Sequence, residues 1–107
     1  MASDKCYLDY ILSQLAELPD VGYRPMMGEY VLYYNGKVIG GIYDNRFLVK
    51  PTKNACRVMQ EMTGELPMDL PYDGAREMLA VNPEDRELMV SVVEAAAEDL
   101  PVPRRKK

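Results

Sequence analysis

The stretch RPMMGEYVLYYNGKVIGGIYDNRFLVK, Arg24 to Lys50, decides the fold. Asn35-Gly36 separates two apolar, tyrosine-rich runs. A two-residue type I′ hairpin needs positive φ at both central positions, and Asn and Gly adopt it at little steric cost. Asp44-Asn45 gives a weaker signal of the same kind. The two turns predict a three-strand antiparallel meander over 29–34, 37–43 and 46–50. Pro25 has no N–H for a ladder, so a strand through 22–27 belongs at an edge or is irregular there.

Two-residue loops pair Tyr34 with Lys37, Tyr33 with Val38, Leu32 with Ile39, Tyr43 with Arg46 and Ile42 with Phe47. Side chains alternate across a strand, so this register sorts them into faces. One face collects Val31, Tyr33, Val38, Gly40, Ile42, Phe47 and Val49, and is expected to lie on the core. The other collects Tyr30, Leu32, Tyr34, Lys37, Ile39, Gly41, Tyr43, Arg46, Leu48 and Lys50. Its apolar centre, three tyrosines and cationic edge match the composition of protein interfaces. The expected contact residues are Tyr30, Leu32, Tyr34, Ile39, Tyr43, Arg46 and Leu48. Two other readings compete. Either the final strand's neighbours or the chain's own long loop cover the face, or single-stranded nucleic acid stacks on Tyr30, Tyr34 and Tyr43. A bulge at Gly40-Gly41 would exchange the faces beyond it.

Outside the meander, Leu8, Ile11, Leu12, Leu15 and Leu18 share one face of a 3.6-residue period and predict a helix over 4–18. Ser3 or Asp4 caps its start. Ala55, Val58, Met59 and Met62 predict a helix over 52–63, with Thr52 as N-cap and Gly64 as C-cap. ELPMDLPYDGA, 65–75, reads as a loop, and REMLAV, 76–81, as a short strand. A last helix is expected from Asn82, with Pro83 at its first position, Glu84 and Asp85 in its first turn, and Leu88, Met89, Val92, Val93, Ala96 and Leu100 inward. Helices flanking an antiparallel sheet in this order predict an α+β two-layer domain with the helices on one face. At 107 residues the chain is expected to form a single domain over 1–103, followed by a basic C-terminal tail, 104–107.

The chain has no histidine, which removes the commonest general base and metal ligand and excludes triads built on one. Cys6 and Cys56 fit no metal spacing and read as reduced structural thiols. NGKVIGG matches no phosphate loop, and Asp69/Asp73 and Glu84/Asp85 read as loop and helix-start carboxylates. Of 13 basic residues, four are Arg104–Lys107, so residues 1–103 hold 9 basic and 17 acidic side chains, net −8. Such a body repels a phosphate backbone and disfavours direct nucleic-acid binding. No apolar run reaches the roughly 18 residues of a membrane span. The N-terminus lacks a secretory pattern, so a cytoplasmic protein is expected.

Arg24, Met26, Met27 and Gly28, followed by the tyrosine-rich strand and Phe47-Leu48-Val49-Lys50, resemble the signature of the TfoX/Sxy N-terminal domain. The later MLAV and NPED fit that family's last strand and helix, so the resemblance spans roughly residues 8–100. It implies an α+β domain of secretion-chaperone-like type and a role in bacterial competence regulation. Full-length relatives act with the cyclic-AMP receptor protein and carry a second, helical domain, which has no counterpart before Lys107. The expectation is a non-catalytic protein-interaction module, a regulator of transcription. Its partner would be a transcription factor, RNA polymerase or a second copy of the chain, with no cofactor and no metal. The alternative is a small-ligand-binding or enzymatic domain using Tyr, Lys and carboxylate groups.

Overall fold

A computed structural model describes residues 4–100. The elements run α1 (Lys5–Gln14), β1 (Val21–Met26), β2 (Glu29–Tyr34), β3 (Lys37–Ile42), β4 (Phe47–Val49), α2 (Lys53–Thr63), β5 (Met68–Asp69), β6 (Met78–Ala80) and α3 (Arg86–Asp99). The six strands form one antiparallel sheet in the order β1-β2-β3-β4-β6-β5. The expected α+β domain is therefore present, with β1 at an edge as Pro25 demands.

Local chemistry explains most boundaries. Asn35 and Gly36 take φ of 54° and 79°, and Asp44 and Asn45 take 54° and 56°, so both expected hairpins form. A third hairpin joins β1 to β2 through Met27 and Gly28, at φ 53° and 86°. The Thr52 side chain accepts from the Ala55 N–H, and Gly64 closes α2 in the left-handed conformation, φ 77°.

The last helix starts later than its Asn-Pro signal suggests. The Asn82 side chain accepts from the Glu84 N–H, and the Asp85 N–H donates to the Asn82 carbonyl, which makes 82–85 a turn. Asp85 is the N-cap, its carboxylate accepting from the Leu88 N–H at 3.1 Å. At the start of α1 the Asp4 carbonyl, not its side chain, takes the first N–H groups. Ser3 and the tail 104–107 lie outside the described residues.

One hydrophobic core joins Leu8 and Ile11 of α1, Leu15 at its C-cap, Ala55 and Met59 of α2, and most of α3 to Leu32, Ile39, Ile42, Phe47, Val49 and Leu79 of the sheet. The helices therefore share one face. α3 is the central element: Leu88, Met89, Val90, Val92, Val93, Ala95, Ala96 and Ala97 are all buried. The Lys37 ammonium donates to the Ala97 carbonyl at 2.9 Å, near the negative end of α3. Asp99 ties α3 to the start of α2, accepting from the Asn54 N–H and from its side-chain amide, both at 2.7 Å.

The register of β2 against β3 departs from the simple hairpin count. Tyr34 pairs with Lys37 and Tyr33 with Val38, but Leu32 pairs with Gly40. Ile39 is the extra residue of a β-bulge, and beyond it the two strands exchange faces. The bulge lies one step before the glycines. The glycines are needed because a Cβ on Gly40 would overlap the Leu48 carbonyl oxygen of β4.

Candidate functional site

The bulge divides the expected contact face, because Tyr30, Leu32 and Tyr34 share the core face with Ile42, Phe47 and Val49. Leu32 and Ile39 are buried inside the domain, and Tyr30 and Tyr34 pack against that core. These four residues are thus not an outer surface, which corrects the sequence-based assignment. Tyr43, Arg46 and Leu48 do lie on the second face, with Val31 and Tyr33 in place of the β2 residues expected there and Val38, expected on the core, beside them. Leu48 is itself fully buried.

What shields Tyr43 is the chain's own segment 70–77, which runs as a strap beside it. Pro71 is buried, and the Tyr72 ring meets the Tyr43 ring edge-on, centroids 6.4 Å apart. The Tyr43 ring in turn lies over Gly41, where a Cβ would come within 2.8 Å of it. Arg46 holds the root of the strap. Its guanidinium pairs with Asp69 at 2.7 Å and donates to the Tyr43 carbonyl at 3.1 Å. The Arg46 side chain holds the Asp69 carboxyl below its ordinary value, with help from the Leu70 N–H. Burial raises the Tyr43 phenol, with smaller contributions from Tyr72 and Glu29.

Open grooves lie on either side of the Tyr43–Tyr72 contact. One, of about 440 Å³, is lined by Met26, Met27, Glu29, Tyr43, Pro71 and Tyr72. Its apolar groups are strongly exposed: Met27 to 96%, Tyr72 to 63% and Met26 to 46%. The other, of about 690 Å³, lies towards Val38, Lys50, Gly74 and Arg76. Beside them Glu29, Asp44, Asp69 and Asp73 make an acidic border around Arg46. Arg24 stands exposed on the second face opposite Val31, and makes no ion pair among the described residues.

Sequence reasoning missed Pro71 and Tyr72, although a proline beside a tyrosine in the loop is an available signal. It also read Met27-Gly28 as a signature without seeing a turn. Burial raises the Cys56 thiol, which leaves less thiolate at neutral pH. The described residues hold no group of three His, Cys, Asp or Glu side chains able to bind a metal. None of their helices is long and apolar enough to cross a membrane. The arrangement is suited to recognition: exposed methionines, an aromatic edge and charged borders.

The chain is 30% identical over 109 residues to the "Uncharacterized 12.7 kDa protein in trpE 5'region" of Spirochaeta aurantia, covering all of this chain and 91% of that one. The TfoX N-terminal domain family matches residues 13–100, from within α1 to the end of α3. That match takes in the three hairpins, the strap, α2 and α3, and the chain belongs to the TfoX N-terminal domain family.

Proposed function

We propose that this chain is a non-catalytic protein-interaction module with a competence-related role, regulating transcription through a protein partner in the cytoplasm. The partner seats on the groove of Met26, Met27 and Tyr72. One observation carries this reading. Met27 exposes 96% of its surface at a hairpin tip while its backbone sits at φ 53°. That conformation costs a non-glycine residue on the order of 1 kcal/mol. Asn or Gly would serve the turn better. A large apolar side chain kept there is suited to contact, and methionine adapts its shape to a partner.

The test is binding of the purified chain to purified RNA polymerase and to the cyclic-AMP receptor protein, measured by biolayer interferometry. Wild type is compared with Met27→Asp and Tyr72→Ala, each checked for folding by circular dichroism. Binding by wild type that both substitutions weaken supports the reading. No binding, or binding that neither substitution alters, overturns it.

A further inference from the structure

The second groove contains an unexplained charge arrangement. Among the described residues Lys5, Arg46 and Arg57 form ion pairs, Lys37 donates to the Ala97 carbonyl, and Arg86 donates to the Gln14 side chain. Lys53 lies in the field of Asp99. Three cations remain with no such partner: Arg24, Lys50 and Arg76. Two of them, Lys50 and Arg76, line one groove. The domain body carries an excess of acidic groups, so paired cations would be the ordinary outcome. The groove's own carboxylate, Glu77, pairs with neither.

Apart from Thr52, the remainder of the groove is lined by apolar residues, glycines and tyrosines. Val38 and the buried Gly40 backbone line one side, and Tyr43, Pro71 and Tyr72 another. Its volume of about 690 Å³ lies in the range of small-molecule sites, which are mostly apolar with a few placed polar groups. Lys50 comes from the end of the sheet, held there by its backbone N–H on the Ile39 carbonyl at 2.9 Å. Arg76 comes from the strap. A ligand bridging them would therefore also tie the strap to the sheet.

We propose that the groove between β3–β4 and the strap binds a small organic anion, one carboxylate or phosphate on a flat apolar body. The body lies along Tyr43, Pro71 and Tyr72, and the anionic group meets Lys50 and Arg76. This site shares Tyr43, Pro71 and Tyr72 with the methionine groove but differs from it in Val38, Lys50 and Arg76.

The experiment is an NMR titration of the full chain, following backbone amides. The probes are indole-3-acetate, phenyl phosphate and the neutral indole-3-acetamide. The expected result is saturable shifts at Val38, Tyr43, Gly74 and Ala75 with at least one anionic probe. The neutral amide binds roughly tenfold or more weakly, as expected for loss of a charge-assisted contact. The stronger of the two anionic probes identifies the anionic group. The folded Lys50→Gln/Arg76→Gln variant loses affinity for the anions to a similar extent and is unchanged towards the amide. Equal affinity for the amide, shifts confined to Met26, Met27 and Glu29, no saturable binding, or undiminished binding by the double variant each overturn the proposal.

Discussion

The rings of Tyr43 and Tyr72 meet at an interplanar angle of 61°, one from the sheet and one from the strap, and this contact separates the two grooves. Removing the strap's half through Tyr72→Ala should lower stability by about 1 kcal/mol, the usual worth of such a pair beyond simple burial. It should also bring the Tyr43 phenol down towards its ordinary value of 10.0, because burial and the neighbouring Tyr72 both raise it. Ultraviolet titration of phenolate formation reads the second effect, and urea unfolding the first.

Tyr7 and Tyr43 are both raised above 10.0, chiefly by burial. A raised folded-state value means that the folded chain resists losing the proton. The associated stability is fully present below pH 10.0 and is lost as pH rises through the folded values. Melting temperature should therefore fall on the alkaline side of pH 10.0. Tyr43→Phe should flatten part of that fall.

Asp69 gives the opposite sign. Its carboxyl is held below 3.8 by Arg46, so the associated stability is present above pH 3.8 and fades as pH drops through the lowered value. Asp69→Asn should remove that acid-side dependence. It should also speed amide hydrogen exchange in the strap at neutral pH, since the 2.7 Å pair at its root is gone.

Two glycines of the sheet, Gly40 of β3 and Gly22 of β1, should behave differently. Gly40→Ala must displace the β4 backbone, and a cost of about 1–3 kcal/mol is expected from overpacking. Gly22 of β1 has no atom within 4 Å of an added Cβ, and its φ is not in the left-handed region. Gly22→Ala should be neutral, or stabilising by about 0.4–1 kcal/mol through the unfolded chain. Chemical denaturation of the two variants side by side checks the pair.

Met27→Asn separates stability from recognition. Asn is at home at φ 53°, so the variant should gain on the order of 1 kcal/mol in folding. The same change removes the most exposed apolar side chain of the methionine groove and should weaken partner binding. A variant that melts higher and binds as well as wild type would show that Met27 has no part in recognition.

Much of the fold is legible because it rests on short-range chemistry. Asn35-Gly36, Thr52 and Gly64 each dictate local backbone, and the α1 leucines mark one helical face whatever lies against it. The strand pairing is legible only up to Val38, and the expected faces hold from Gly40 to Val49 but are exchanged for β2 and Val38. A bulge depends on how β3 must pass β4, and Gly40 meets the Leu48 carbonyl across the sheet rather than along the chain. That one residue of register moved Tyr30, Leu32 and Tyr34 from the outer face to the core. The strand β5 escapes notice because two residues carry no periodicity. The strap escapes because Pro71 and Tyr72 acquire a role only when Tyr43 is beneath them.

The position of α3 has a consequence for biosynthesis. The first four strands are consecutive hairpin neighbours and can pair as soon as they leave the ribosome. The helix that closes over β3 and β4 is encoded by residues 86–99. Until it emerges, the side of the meander bearing Leu32, Ile42, Phe47 and Val49 stays largely wet. A nascent or truncated chain ending before α3 therefore carries an open apolar sheet, the form most exposed to aggregation or to capture by chaperones.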